Sequence, residues 1–242
     1  WDTSKVTNMQ QMFEFAENFD QPIGRWNLNN VTSMTQFCNG ASKFNNGNST
    51  DISGWVFPKV TTLQQLFTNS SFNQPIGSWD TSNITNMSSI FNSTPFNQNI
   101  ADWNIAKVTS LSSVFNNSQF NQDISGWNTS NVTNMFSLFN NNSSFNQYIG
   151  TWDLNKVTSM NNMFNGAVSF NQDISGWNIS NVTNMASMFQ DATDFNRNIR
   201  PWDVSLSDVL TNMFTDASGL NIRSNGFPGY GDTPTSEFFN VD

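Results

Sequence analysis

The stretch "DISGWNTSNVTNM" at residues 123–135 returns at 173–185 as "DISGWNISNVTNM", with Thr129 against Ile179 the one difference. A Trp sits inside both copies, and all nine tryptophans fall on one period: Trp1, Trp26, Trp55, Trp79, Trp103, Trp127, Trp152, Trp177 and Trp202. Their spacings are 24 or 25 residues, apart from one of 29 that a Gly/Asn/Ser-rich insertion, "NNGNSTD" at 45–51, accounts for. A period of about 20–50 residues held this tightly marks stacked structural repeats.

Two finer patterns run inside each repeat. The part I-x-x-W-x-L, as in Ile149, Trp152 and Leu154, has the spacing of the strand portion of a leucine-rich repeat. Apolar residues there alternate with polar neighbours, as in a half-buried strand. The part V-x-x-M-x-x-M-F, as in Val182, Met185, Met188 and Phe189, places apolar groups at i, i+3, i+6 and i+7, one stripe of a two-turn helix. Ser82, Ser130 and Ser180 stand where the N-cap of that helix is expected. The expectation is a right-handed α/β solenoid of nine leucine-rich-type repeats over residues 1–222. It has a parallel β-sheet on one face, short helices on the other and a core ladder of Trp26 through Trp202. A Gly/Pro-rich segment at 223–242 follows as a cap or inter-subunit contact.

Composition narrows the partners. With nine Lys and Arg, no basic cluster and a net charge of −9, a nucleic-acid partner is not expected. The 34 aromatic residues give ample surface to bury, so the chain is read as ordered despite its low charge. Lone Cys38 excludes an intramolecular disulfide, and no stretch approaches the length of a membrane span. The chain opens on Trp1, without an initiator Met or a signal peptide, and is read as a mature or trimmed product.

The segments "WDTSNITNMSSIF" (79–91) and "FNQDISGWNTSNVTNM" (120–135) resemble the BspA-type leucine-rich-repeat surface proteins, which include repeats of unknown function in mycoplasma lipoproteins. The resemblance covers about residues 1–222. It implies an extracellular or cell-surface, solenoidal, non-enzymatic protein used for display, adhesion or assembly. Repeat nine departs, with Ser207 and Asp208 in place of Val-Thr and Leu220 in place of Phe, and Cys38 stands where other repeats carry Phe.

Two polar arrays and thirteen N-x-S/T sequons are the candidate sites. Loop sequons at Asn48, Asn69, Asn92, Asn116, Asn141 and Asn142 are expected to take N-linked glycan ahead of Asn86, Asn128 and Asn178. Those at Asn30, Asn83, Asn131 and Asn181, on the expected helix starts, rank with the poorest. The residues after each Trp (Asp2, Asn27, Val56, Asp80, Asn104, Asn128, Asp153, Asn178 and Asp203) read as a solvated ladder rather than a calcium or sugar site, because their carboxylates lie whole repeats apart. Thr7, Thr32, Thr61, Thr85, Thr109, Thr133, Thr158 and Thr183 form a second array, assigned to local hydrogen bonding rather than to ice.

Catalysis has little material: there is no His, Cys38 sits at a core position, and Glu14, Glu17 and Asp20 cluster on one exposed segment. No enzyme, metal or cofactor is expected. Repeat proteins need atypical polar caps, whereas this chain begins at full consensus with a core Trp. Trp1, Val6 and Met9 at one end, with Leu220, Ile222, Phe227, Tyr230, Phe238 and Phe239 at the other, are the candidate residues for head-to-tail joining into a homo-oligomeric fibril. The alternatives are a fragment whose cap is cut off, a tail folded back as a cap, and a monomeric adhesin that binds glycans or a host protein through the Asn/Asp face.

Overall fold

A computed structural model describes residues 1–220 and 226–239; Ile222 lies outside them. The repeats do stack, one coil per Trp, but the expected α/β solenoid is not what they form. Among the described residues there is no sheet, and the first eight repeats contain no α-helix; residues 218–220, at the end of the ninth, are helical. Adjacent coils meet in isolated parallel bridges, such as Asn86↔Ser110 and Ser110↔Asn134.

Tight turns replace the expected strand. With Trp as position 0, the Trp127 N–H donates to the Ile124 carbonyl at 3.1 Å, closing I-x-x-W as a turn. Val132 N–H then donates to Thr129 at 2.8 Å, closing a second turn from +2 to +5. Two turns in nine residues leave no extended run to pair along.

Left-handed residues break the expected helix. Every coil carries a positive φ at +10 and at +14, for example Ser137 (53°) and Asn141 (54°). An α-helix needs consecutive right-handed residues, so a left-handed one every fourth position prevents it. These positions hold Gln, Ser, Asn, Asp, Gly and one Phe, Phe15, with no β-branched residue among them. The serines read as N-caps are not caps: Ser82, Ser130 and Ser180 donate their backbone N–H to the Asp or Asn two residues earlier.

Alternating handedness turns alternate peptides along the stacking axis. Met135, Ser137, Phe139 and Asn141 donate N–H to Ser159, Asn161, Met163 and Asn165 of the next coil, at 3.0, 3.0, 2.9 and 2.6 Å. Between them, Leu138, Asn140 and Asn142 close turns onto Met135, Ser137 and Phe139. Positions +8, +10, +12 and +14 thus donate forward to +7, +9, +11 and +13 of the following coil, and the backbone is satisfied without helix or sheet.

The core is aromatic. The +12 Phe stacks on the Phe of F-N-Q in its own coil, as Phe139 does on Phe145 with centroids 3.8 Å apart and planes at 11°. It also stacks on its counterpart in the next coil, as Phe139 does on Phe164 at 5.7 Å. Trp55 through Trp202 are buried in a parallel column, in which Trp79 and Trp103 lie 6.3 Å apart. Each of these indoles donates Nε1–H to the Ile carbonyl one coil back; Trp127 reaches Ile100 at 3.2 Å. Trp26 is only half-buried and Trp1 is 84% exposed. Cys38 interrupts the Phe column; beside it Phe37 sets its edge against Trp26 and Trp55, and burial raises the thiol pKa.

The insertion folds as two short 3-10 turns, Asn46–Asn48 and Thr50–Gly54, around buried Asn46, whose Oδ1 accepts from Ile23 N–H at 2.8 Å. The tail returns over the ninth coil and ends in α1 (Ser236–Phe239). Tyr230 stacks on Phe214 at 6.0 Å and Phe238 meets it edge-on at 5.5 Å. Phe214 N–H donates to the Asp232 carbonyl and Asn212 N–H to Thr233 Oγ1.

Candidate functional site

The surface consists of polar columns that run the length of the stack, one residue per coil. The Asp and Asn after each Trp are not loose ladder residues. Asp2, Asn27, Asp80, Asn104, Asn128, Asp153, Asn178 and Asp203 each accept the N–H two residues on, at 3.0–3.2 Å. Val56, 63% exposed, is the apolar exception. The Ser82 hydroxyl and N–H hold the Asp80 carboxyl below its usual pKa; Ser4 does the same for Asp2, and the Ser205 N–H and hydroxyl do it for Asp203.

The threonines at +6 are exposed and link coil to coil. Thr133 donates both its N–H (2.9 Å) and its hydroxyl (3.1 Å) to the Thr109 carbonyl, and Thr85, Thr109, Thr158 and Thr183 repeat this one coil apart. They bond between coils, not at helix starts.

Two columns escaped the sequence reading. The Asn of F-N-Q forms a ladder in which each Oδ1 accepts the backbone N–H of its counterpart one coil on. It runs from Asp20 through Asn45, Asn73, Asn97, Asn121, Asn146 and Asn171 to Asn196, at 2.8–3.0 Å. The next residue, Gln98, Gln122, Gln147 or Gln172, donates Nε2–H to the same Oδ1. The second column, at +4, alternates: Lys5, Asn30, Lys59, Asn83, Lys107, Asn131, Lys156, Asn181. Each Lys after the first donates to the Asn one coil back, Lys107 to Asn83 Oδ1 at 3.0 Å, and each Asn donates to a backbone carbonyl one coil back, Asn131 to Ala106 at 2.8 Å. Alternation keeps ammonium groups two coils apart and gives Lys59, Lys107 and Lys156 an acceptor each.

The sequons separate by the state of their amides. Asn142 is a correction to the loop group: it is fully buried, and its Nδ2–H donates to the Phe120 carbonyl at 2.9 Å and to Ser118 Oγ at 3.3 Å. Asn92 and Asn116 are half-buried and joined, Asn116 Nδ2–H to Asn92 Oδ1 at 3.0 Å. Asn86 is half-buried with its Oδ1 taken by Ser88 N–H, and Asn128 is exposed in the same role toward Ser130. Asn178 and Asn181 donate to Asn155, while Asn30, Asn83 and Asn131 serve the alternating column. Asn48, Asn69 and Asn141 are exposed on turns.

The carboxylates of the first coil serve separate bonds. Glu14 accepts from Gln11 and Asn39, and Asp20 accepts from the N–H groups of Asn45 and Gly47 at 2.8 and 2.7 Å. Among the described residues no three His, Cys, Asp or Glu side chains gather as a metal site, and no helix is long and apolar enough to cross a membrane.

The ends are unlike. At coil one, Trp1 stacks on Trp26 at 5.5 Å, and with Phe13, Phe19, Pro22 and Ile23 they line an open groove of about 250 Å³. Met9 is buried and Val6 packs on the core. At coil nine the tail candidates are turned inward: Leu220, Phe238 and Phe239 are buried, Tyr230 is half-buried, and Phe227 lies under the Arg200 guanidinium at 4.4 Å.

The repeated sequence has its counterpart among known families: the model of DUF285, described as a Mycoplasma protein of unknown function, matches residues 1–76, 46–127 and 109–227. The chain belongs to that family. No curated protein matches it. The mycoplasma-type part of the resemblance therefore stands, carried by a DUF285 repeat of turns rather than a leucine-rich repeat of strand and helix.

Proposed function

We propose that this DUF285 chain is a non-enzymatic structural protein of the cell exterior, a spacer that holds its surface away from the cell. The observation that supports it most is the commitment of polar side chains to neighbouring coils. The asparagine ladder, the threonine column and the Lys/Asn column all run along the axis, so each coil braces the next. Stacked rings of successive coils lie 5.6–6.4 Å apart, so nine coils make an elongated rod. The resemblance to BspA-type surface proteins agrees with an exterior location. Where a host glycosylates, the exposed Asn48, Asn69 and Asn141 are the sites that would take glycan without breaking an inter-coil bond.

The adhesin reading is the weaker one, because the oxygens on the Asn/Asp face are already engaged by their own turns. Protease treatment of intact source cells tests the location: degradation of the chain while a cytoplasmic marker survives is expected, and protection of both overturns the reading. Small-angle scattering of the purified chain tests the rod, with an elongated profile expected.

A further inference from the structure

We propose that the surface around Tyr148 binds uncharged oligosaccharides, with the ring as the platform for one sugar unit and the groove beside Asp173 as the seat of the next. The column four residues before each Trp reads Pro22, Asp51, Pro75, Asn99, Asp123, Tyr148, Asp173 and Asn198. Asn99, Asp123, Asp173 and Asn198 each accept the N–H two residues on, at 2.9–3.3 Å. Tyr148 instead lies over the residue two on, Gly150. A Cβ there would stand 2.7 Å from Tyr148 Cε2 and 2.6 Å from the Asp173 carbonyl oxygen. The missing side chain at Gly150 thus lets the ring rest on the backbone and meet the next coil. Tyr148 is the most exposed aromatic residue between the second and eighth coils. It stacks on no other ring among the described residues, and its hydroxyl has no partner there.

The groove begins where the ring ends. Asp173, Ser175, Arg197, Asn198 and Pro201 line about 230 Å³, less than a drug-sized ligand occupies and room for a single sugar unit. Arg197 is fixed by its Nε–H, donated to the Asn171 carbonyl at 2.8 Å, and its Nη groups have no partner among the described residues. The Ser175 N–H and hydroxyl, and then the Arg197 charge, hold the Asp173 carboxyl below its usual pKa, yet no ion pair closes the groove between Asp173 and Arg197. A carboxylate has about four acceptor sites, so Ser175 leaves some of them free. A sugar ring matches this arrangement, because its C–H face is apolar and its rim is hydroxyl. The face lies on the phenol ring, while the rim donates to Asp123 and Asp173 and accepts from Arg197. Carboxylates on either side of Tyr148 repel an anion and Arg197 repels a cation, which leaves a neutral ligand. Stacked rings of successive coils lie 5.6–6.4 Å apart, the scale of one unit in an extended sugar chain. The column is separate from the Asn/Asp face, which carries no aromatic residue. The site goes beyond the structural reading above and fails separately from it, since binding is read on purified protein and location on cells.

The chain has two tyrosines, so isotope-labelled tyrosine rings give two sets of NMR signals, with half-buried Tyr230 on the ninth coil as the internal control. Cellotetraose, laminaritetraose, mannotetraose and N-acetylated chitotetraose are titrated in turn into the full chain. At least one is expected to shift the Tyr148 signals saturably and to leave Tyr230 unmoved. Arg197→Ala and Asp173→Asn should each weaken that binding about threefold to tenfold, as the loss of a charge-assisted hydrogen bond does at an open site. Asn at 173 keeps the turn, as Asn99 and Asn198 do in the same column. By calorimetry, Tyr148→Ala should lose the heat of binding that Tyr148→Phe retains. Four tetrasaccharides that leave Tyr148 unmoved overturn the proposal, and so do shifts that Tyr230 shares. Affinity indifferent to both Arg197→Ala and Asp173→Asn overturns the groove. Tetramethylammonium or oligogalacturonate that moves Tyr148 while no neutral sugar does overturns the ligand class. Trp near-UV circular dichroism checks the fold of every variant, and if Arg197→Ala loses that signal, Arg197→Gln replaces it under the same criteria.

Discussion

Replacing Asn121 by Ala probes the asparagine ladder at its middle. Asn121 Oδ1 accepts the Asn146 N–H at 3.0 Å and the Gln147 Nε2–H at 3.0 Å, both from the next coil. The Gln147 amide can turn to water, but the half-buried Asn146 N–H is left without its acceptor, which costs about 1–3 kcal/mol. Taking about 2 kcal/mol, the opening equilibrium at that joint rises about 30-fold, since about 1.4 kcal/mol is tenfold. Because repeat arrays lose cooperativity locally, the readout is hydrogen exchange at the Asn146 amide rather than a global midpoint. Asn121→Asp keeps the acceptor and should exchange within about threefold of wild type at pH 7, since Asp20 does the same work at the head of the ladder. An Ala chain that exchanges like wild type refutes the ladder's role, and so does an Asp chain that exchanges as fast as the Ala chain.

Three other substitutions bear on the coil. Ser187, at φ 53°, should tolerate Gly with no loss, while Val should cost about 1–3 kcal/mol in urea unfolding. Trp127→Phe keeps a buried ring but removes the donor to the Ile100 carbonyl; a loss of about 2 kcal/mol is expected from thermal unfolding. Asp123 and Asp173 accept first the N–H and then the hydroxyl of Ser125 and Ser175, which lowers their pKa below the unfolded value of about 3.9. Their contribution is therefore present above about pH 4 and lost as pH falls through the lowered folded values. The double change of both to Asn should flatten the acid limb of a stability-versus-pH curve.

The stacking and its period were legible in the nine tryptophans, because a large indole recurring at a near-constant interval marks one coil each, and those from Trp55 to Trp202 are buried. Val132, Met135, Leu138 and Phe139 misled, because spacings of three and four point inward from a chain of turns as well as from a helix. Ser137 and Asn141 carried the deciding signal: small or amide-bearing residues at +10 and +14 in nearly every coil accept a left-handed backbone, as a helix interior does not require. The expected Asn/Asp ladder proved to be a row of turn acceptors, and the true inter-coil ladder lay in the Asn of F-N-Q. The near-identity of 123–135 and 173–185 reflects the alternation of Lys and Asn at +4, under which a coil matches its second neighbour better than its first.

The forward-pointing amides give the molecule an electrical direction. Each peptide carries about 3.5 D, and the four that cross most boundaries from +8 to +14 are aligned, while the threonine peptides and the F-N-Q asparagine peptides, whose N–H groups point one coil back, oppose them. The direction is therefore local: it runs along the +8 to +14 face, negative toward coil one and positive toward coil nine. Copies apposed along that face are thereby favoured antiparallel.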